Sequence, residues 1–218
     1  MKLAVFDVCG TLYDSNTTFD FLAFVFQYNK KYLIFQRLNK MFLFKAVNYI
    51  SYRYFHYDIV RIIATYFLKG KSVDEIENLA SRFVDEYLVD KKIHYVHSLL
   101  SKYQDRGYKV VLFSGSYEIV VKQIAKKLGV DAFYASKLKQ KGAVLSGVYD
   151  KDILFDKKSV LKEAYWDVEE LIVVSDNRTD YPLFEMATKA IIVVKTDKMR
   201  KYWHKSNLNN MQIVGYNG

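Results

Sequence analysis

Lys2-Leu3-Ala4-Val5-Phe6-Asp7-Val8-Cys9-Gly10-Thr11-Leu12 opens the chain, and its reading decides the fold. A short apolar run halted by an acid and a glycine predicts a buried strand feeding a turn. The same punctuation recurs twice further on. Val110-Val111-Leu112-Phe113 runs into a polar loop at Ser114-Gly115-Ser116, and Leu171-Ile172-Val173-Val174 runs into Ser175 and an acidic loop at Asp176. In an open sheet, ligands bind beyond the carboxyl ends of the strands. Asp7, Ser114 and Asp176 are therefore expected to converge.

The intervening segments support such a sheet. A helix carrying Ile93, Val96, Leu99, Leu100 and Tyr103 is expected to close at Gly107, where a left-handed residue ends it. A second helix, through Ile119, Val120, Ile124 and Leu128, stops at Gly129. A hairpin is expected over about 133–149 around Lys141-Gly142, then a helix with Val160, Leu161 and Ala164. A short helix after Pro182 leads to a strand over Ala190–Val194. Alternating strands and helices predict an α/β fold with a parallel sheet covered on both faces.

Residues from about 19 to 92 keep a helical period instead. Ile34, Leu38, Met41 and Phe42 form one apolar stripe, and Ile59, Ile62, Ile63, Tyr66 and Phe67 another. Ser72-Val73-Asp74-Glu75 is a capping box that opens a helix with Ile76, Leu79, Ala80, Phe83, Val84, Tyr87 and Leu88 on its apolar face. The chain is thus divided into a core of residues 1–14 plus 93–218 and an all-helical insert of residues 15–92.

Composition sets the outer limits. The chain has 218 residues, 51% of them hydrophobic and 17% aromatic, enough for one compact core with a smaller insert and too apolar for disorder. Cys9 is the only cysteine, which excludes a disulfide scaffold and fits a reducing compartment. The start is charged too early for a signal peptide, and no apolar run is long enough to span a bilayer. A cytoplasmic location is the expectation. Charge is uneven: residues 21–72 carry nine Lys or Arg against the single acid Asp58, so this window holds +8 of the net +9. It also holds 15 of the 36 aromatic residues. Such a region suits nucleic acid, an anionic membrane surface or a phosphorylated substrate, or it is a helical module whose cations simply face water.

Asp7-Val8-Cys9-Gly10-Thr11-Leu12 resembles the first motif of the haloacid dehalogenase (HAD) superfamily, Asp-x-Asp-Gly-Thr-Leu, with Cys9 as the one departure. Val110 to Gly115 resembles its second motif, Lys157 with Val160 and Leu161 its third, and Val173 to Asp180 its fourth, with acids four apart. The helical insert, the hairpin and the Lys157 pattern are similar to the phosphoserine-phosphatase-like branch, whose helical cap follows the first strand. The resemblance covers essentially the whole chain and implies a Rossmannoid parallel sheet with that cap. It further implies a phosphatase in which Asp7 attacks phosphorus to give an aspartyl-phosphate. Magnesium would bridge Asp7, the backbone carbonyl of Cys9, Asp176 and the phosphate. Lys157 would offset negative charge, and Ser114 with Gly115 and Thr11 would bind the phosphate. Gly10 would help shape the loop, and Asp180 would hold Lys157 or a metal-bound water.

Cys9 stands where the family carries the aspartate that protonates the leaving group and later activates water. A thiol donates a proton but accepts one poorly, and loss of acid–base help costs about 10²–10⁴-fold. Three outcomes stay open: a slow phosphatase, one with a displaced acid/base, or a phosphate- or lipid-headgroup-binding protein without turnover. A thiol-phosphatase reading of Cys9 fails because Gly10-Thr11-Leu12-Tyr13-Asp14 supplies no cationic neighbour. Ser175 replaces a usual glycine in the fourth motif, and Arg178 joins the loop.

The substrate expected is a small phosphorylated molecule. Asn16 occupies the position of the family's amine-recognising glutamate, which argues against phosphoserine itself. Lys30, Lys31, Arg37, Lys40 and Lys45 beside Phe42, Phe44 and Tyr49 suit an amphiphilic phosphate or peripheral contact with an anionic membrane. His94 and His97 share a helix face without metal-spaced partners, so they read as surface or partly buried residues. No nucleic-acid-binding signature accompanies the basic window. Nothing in the sequence speaks to oligomeric state.

Overall fold

The structure, a computed structural model, describes residues 1–215, Leu43 by its backbone only; the last three residues of the expected core range, 216–218, lie outside the described residues. Strand β1 (Lys2–Phe6) is followed by five helices, α1 (Thr17–Val25), α2 (Lys30–Asn39), α3 (Phe42–Phe55), α4 (Ile59–Tyr66) and α5 (Val73–Arg82). A π-turn (Phe83–Tyr87) and a 3-10 turn (Leu88–Lys91) then lead to α6 (His94–Asp105) and β2 (Lys109–Tyr117). Next come α7 (Glu118–Leu128), β3 (Ala132–Lys141), β4 (Val144–Lys151), α8 (Lys157–Ala164), β5 (Glu170–Ser175) and α9 (Tyr181–Phe184). The chain closes with β6 (Lys189–Val194), α10 (Asp197–Trp203) and β7 (Met211–Gly215).

Among the described residues the strands form one seven-stranded sheet in the order β4-β3-β2-β1-β5-β6-β7, parallel except for the β3–β4 hairpin. The sheet is the α/β architecture expected of a HAD-like fold. Period-two alternation splits each central strand between two cores. Ala4, Phe6, Val110, Leu112, Ile172 and Val174 face one, where the helices between β1 and β2 also pack. Leu3, Val5, Val111, Phe113, Leu171 and Val173 face the other. Both faces are buried, so the strands read as unbroken apolar runs.

Local chemistry explains the helix ends. Asn29 and Asp58 each accept an amide from three residues ahead, from Tyr32 at 3.0 Å and Arg61 at 3.0 Å, and so start α2 and α4. The hairpin stitches the helical segment to the sheet: the Gly70 amide donates to Leu145 at 2.8 Å, and the Leu145 amide to Lys71 at 2.9 Å.

Several expectations are corrected. Ser114-Gly115-Ser116 is not a loop, because β2 continues to Tyr117 with a shift of pairing after Ser114. The stripe Ile34-Leu38-Met41-Phe42 spans a break between α2 and α3, and all four residues are exposed. On α4 the buried face is Val60, Arg61, Ala64 and Thr65, one step round from the apolar stripe, and Ile63 and Tyr66 face water. The helix opened by the capping box ends at Arg82, and its apolar face continues through the π-turn. Pro182 sits inside the first turn of α9, where its missing amide costs nothing. The helix and strand after residue 195, α10 and β7, were not legible in the sequence.

Candidate active site

Because β1 lies between β2 and β5, Phe6 is in register with Leu112 on one side and Val174 on the other. β1 and β5 end within a residue of one level, whereas β2 runs on past it to Tyr117. Asp7 follows β1 directly, its amide donating to the Val174 carbonyl at 2.9 Å, and Asp176 follows β5. Lys157, the first residue of α8, donates to Asp7 Oδ1 at 2.9 Å and to Asp180 Oδ2 at 2.8 Å. All three side chains are buried. Ser175 donates to that same Asp180 oxygen at 2.6 Å and accepts the Asn177 amide at 3.0 Å. The serine that departs from the usual glycine therefore orients Asp180. Asp180 Oδ1 is buried without a hydrogen-bond partner among the described residues.

Three carboxylates share one lysine, and the electrostatics reflect it. Burial pushes Asp7 up to about 6, with Lys157 opposing the rise and Asp180 adding to it. Burial, then the Asp7 charge, pushes Asp176 up to about 7. Burial works against the Lys157 ammonium, but Asp180 and Asp7 outweigh it and hold the lysine above its ordinary value. It stays charged.

Cys9 Sγ lies 2.7 Å from Thr17 Oγ1. Burial and the Asp7 charge push its thiol up to about 11. It remains protonated near neutral pH, so it is neither a thiolate nucleophile nor a base.

Thr11 Oγ1 donates to Asp176 Oδ1 at 3.1 Å and accepts the Asp176 amide at 2.9 Å. Gly10 has φ +69°, and a Cβ there would run into the Asp176 carboxylate. The loop after β1 is thus shaped to hold Asp176 close. Asp7, Asp176 and the backbone oxygens of this loop make an all-oxygen donor set that fits a hard divalent cation. Among the described residues no three His, Cys, Asp or Glu side chains cluster as a metal centre, so such a cation would also draw on backbone and water oxygens.

A cavity of about 190 Å³ lies between the strand ends and the helices, with Asp7, Cys9, Gly115 and Lys157 on one side and Tyr52 and Arg61 on the other. A wider space of about 590 Å³, reaching Asp176 and Arg178, shares Cys9, Asn16, Tyr52 and Asn177 with it. Ser114 is buried, and its hydroxyl accepts the Ser116 amide at 3.1 Å; Gly115 and Ser116 form the cavity wall at that level. Thr11 points to Asp176. Arg178 stacks on the Tyr202 ring with its guanidinium carbon 3.6 Å from the centroid. His97 is partly buried, 3.0 Å from the Leu12 carbonyl, and burial holds its pKa down.

Sequence reasoning missed Arg61, Tyr52, Ser116 and Asn177. Arg61 counted only as one cation of the basic window, yet it is 4% exposed. Its guanidinium pairs with Asp152 at 2.6 Å, donates to the Gly115 carbonyl and to Ser136 Oγ at 3.1 Å, and lies 4.4 Å from the Tyr149 ring centroid. The available signal was its i+3 and i+4 spacing to the small residues Ala64 and Thr65.

Residues 4–185 match the family of haloacid dehalogenase-like hydrolases. The chain belongs to that family. Among relatives of this hydrolase, a phosphoserine phosphatase of Methanocaldococcus jannaschii is 25% identical over 126 residues, 55% of this chain and 56% of that protein. The match thus spans little more than half the length of that relative. A Bordetella pertussis protein of unknown function has a similar fold, with TM-score 0.74 at 19% identity over 97% of each chain. A phosphoserine phosphatase solved as a phospho-aspartyl intermediate analogue reaches TM-score 0.62 at 19% identity, covering 97% of this chain and 91% of that one. Among the described residues no helix is long and apolar enough to cross a membrane.

Proposed function

We propose that this HAD-like hydrolase cleaves a small phosphate monoester through Asp7, with residues 15–92 acting as a cap over a core of residues 1–14 and 93–218. The reading rests on Lys157 bridging Asp7 at 2.9 Å and Asp180 at 2.8 Å, beside Asp176 at the adjoining strand end. The phosphoserine phosphatases among its relatives support the reaction class. Asp7 attacks phosphorus, the ester oxygen departs with the bond electrons, and an aspartyl-phosphate forms. Lys157 neutralises charge that would otherwise repel the nucleophile, and the Gly115 and Ser116 segment borders the phosphate. When bound, magnesium supplies positive charge against the phosphate oxygens, held by Asp7, Asp176 and the Cys9 carbonyl. The departing alkoxide takes a proton from the Cys9 thiol; water then attacks phosphorus, its proton returns to the Cys9 sulfur and the bond from Asp7 to phosphorus breaks, a relay that a thiol held at about 11 performs poorly. Turnover is accordingly slow.

A second reading, phosphate or lipid-headgroup binding without turnover, draws on the same thiol, held at about 11. Hydrolysis of p-nitrophenyl phosphate in magnesium, compared with Asp7→Asn and with chelator, separates the two. The expected result is a loss of more than about 10³-fold in the variant. Wild-type rates in Asp7→Asn would overturn the mechanism. No rate in either protein, with a magnesium and metal-fluoride mixture still raising Tm, would establish the second reading.

A further inference from the structure

Helices α2 and α3 leave most of their large apolar side chains exposed. Among the described side chains, Tyr32 is the buried one of α2 and Ser51 that of α3, with Ala46, Asn48 and Tyr52 half-buried. Phe42 is 86% exposed, Phe55 74% and Tyr54 73%, with Tyr28, Ile34 and Leu38 also in water. Burying aromatic surface drives folding, and so many large apolar side chains left exposed on two successive helices mark a surface that something else covers. Interleaved with these residues are Lys30, Lys31, Arg37, Lys40, Lys45 and Arg53, and no acid occurs between Asp20 and Asp58. Among the described residues none of the six cations joins an ion pair.

We infer that α2 and α3 dock the protein on an anionic lipid bilayer. Charge and residue type together choose this occupant. Cores of protein–protein interfaces are depleted in lysine, whereas helices lying on membranes combine Lys and Arg with exposed aromatics. Four of the six cations are lysines. A bilayer also needs no matching contour, and the apolar residues here form no single stripe. On α3, Phe42, Lys45, Tyr49 and Arg53 recur at i, i+3, i+7 and i+11, which puts apolar and basic groups on one face. The docking face meets the site. A groove of about 640 Å³ lined by Tyr49, Arg53, Phe155 and Arg178 runs along α3 to Tyr52, which also lines the 190 Å³ cavity. Docking sets the mouth of that groove beside the headgroups.

The inference is independent of turnover and is tested by cosedimentation with vesicles of phosphatidylcholine, alone or mixed with phosphatidylglycerol. The full chain is expected to partition onto the mixed vesicles only and to leave them at high salt. The triple variant Lys30→Gln, Lys31→Gln, Lys40→Gln is expected to lose roughly five-fold per lysine. Phe42→Ser with Tyr49→Ser weakens binding to the mixed vesicles further at fixed charge. The lysine variant alters only exposed ammonium groups, so it reports even where the apolar variant misfolds. Failure of the wild type to bind anionic vesicles at low salt would overturn the inference, as would equal binding by wild type and lysine variant. So would a dimer in light scattering that the apolar variant dissociates, because the face would then belong to a second copy.

Discussion

The ends of β1, β2 and β5 and the outer face of α2 and α3 treat charge in opposite ways. At the strand ends, Asp7, Lys157 and Asp180 are buried and paired, and Thr11 and Ser175 hold the acids in place. Among the described residues the cations of α2 and α3 join no ion pair, and they stand among exposed aromatics. Buried charge tolerates only one arrangement, since an unpaired ion there costs several kcal/mol, whereas exposed charge tolerates many. The first region is built for one chemistry. The second is built for a surface supplied from outside. Arg61 joins them, rising from the helical segment into the sheet-end cavity.

The largest expected effect falls within the first region. Cys9→Asp restores a carboxylate beside Asp7 and is expected to raise turnover of p-nitrophenyl phosphate by about 10²-fold or more. A steady-state rate unchanged by this substitution would mean that acid–base work is done elsewhere and that Cys9 is not the limit. At the junction, Arg61→Met removes a buried guanidinium and leaves Asp152 without its cation, with Ser136 and the Leu154 amide still donating to its other oxygen. The expected loss is about 3 kcal/mol, the low end for a broken buried pair because Asp152 is partly open to water. Urea denaturation measures it, and a change below about 1 kcal/mol would show that the helices are held by apolar packing alone. In the second region Phe42→Ser is expected to alter stability by less than about 0.5 kcal/mol, since Phe42 is largely exposed. A substantial fall in Tm would show that this face is packed, which would erase the contrast.

The central strands β1, β2, β5 and β6 were legible because each carries a short apolar run bounded by polar residues, and the two cores demand such runs. Asp7, Lys157, Asp176 and Asp180 were legible as a pattern of residue types in order, and the fold brings these four together. The helical segment resisted the same reading. Its apolar residues outnumber the positions its neighbours can cover, so periodicity on α4 pointed to Ile59, Ile62, Ile63 and Tyr66 while the burial went to Val60, Arg61, Ala64 and Thr65. Ser114 to Ser116 looked like a loop because its residues are small and polar, yet β3 pairs with Ser114 and again with Tyr117, so the stretch is a shift of register within β2.

The sequence by itself determined where strands stop, which helices are capped, and that an acid, a lysine and two further acids follow one another at HAD spacing. Those are local properties, carried by side-chain polarity and backbone propensity within a few residues. The tertiary structure alone decided that Ser175 orients Asp180, that Thr11 turns to Asp176, that Arg61 is buried, and that most described side chains of α3 stay exposed. Each of these depends on which distant segment arrives alongside, and a single chain of letters does not state the identity of that neighbour.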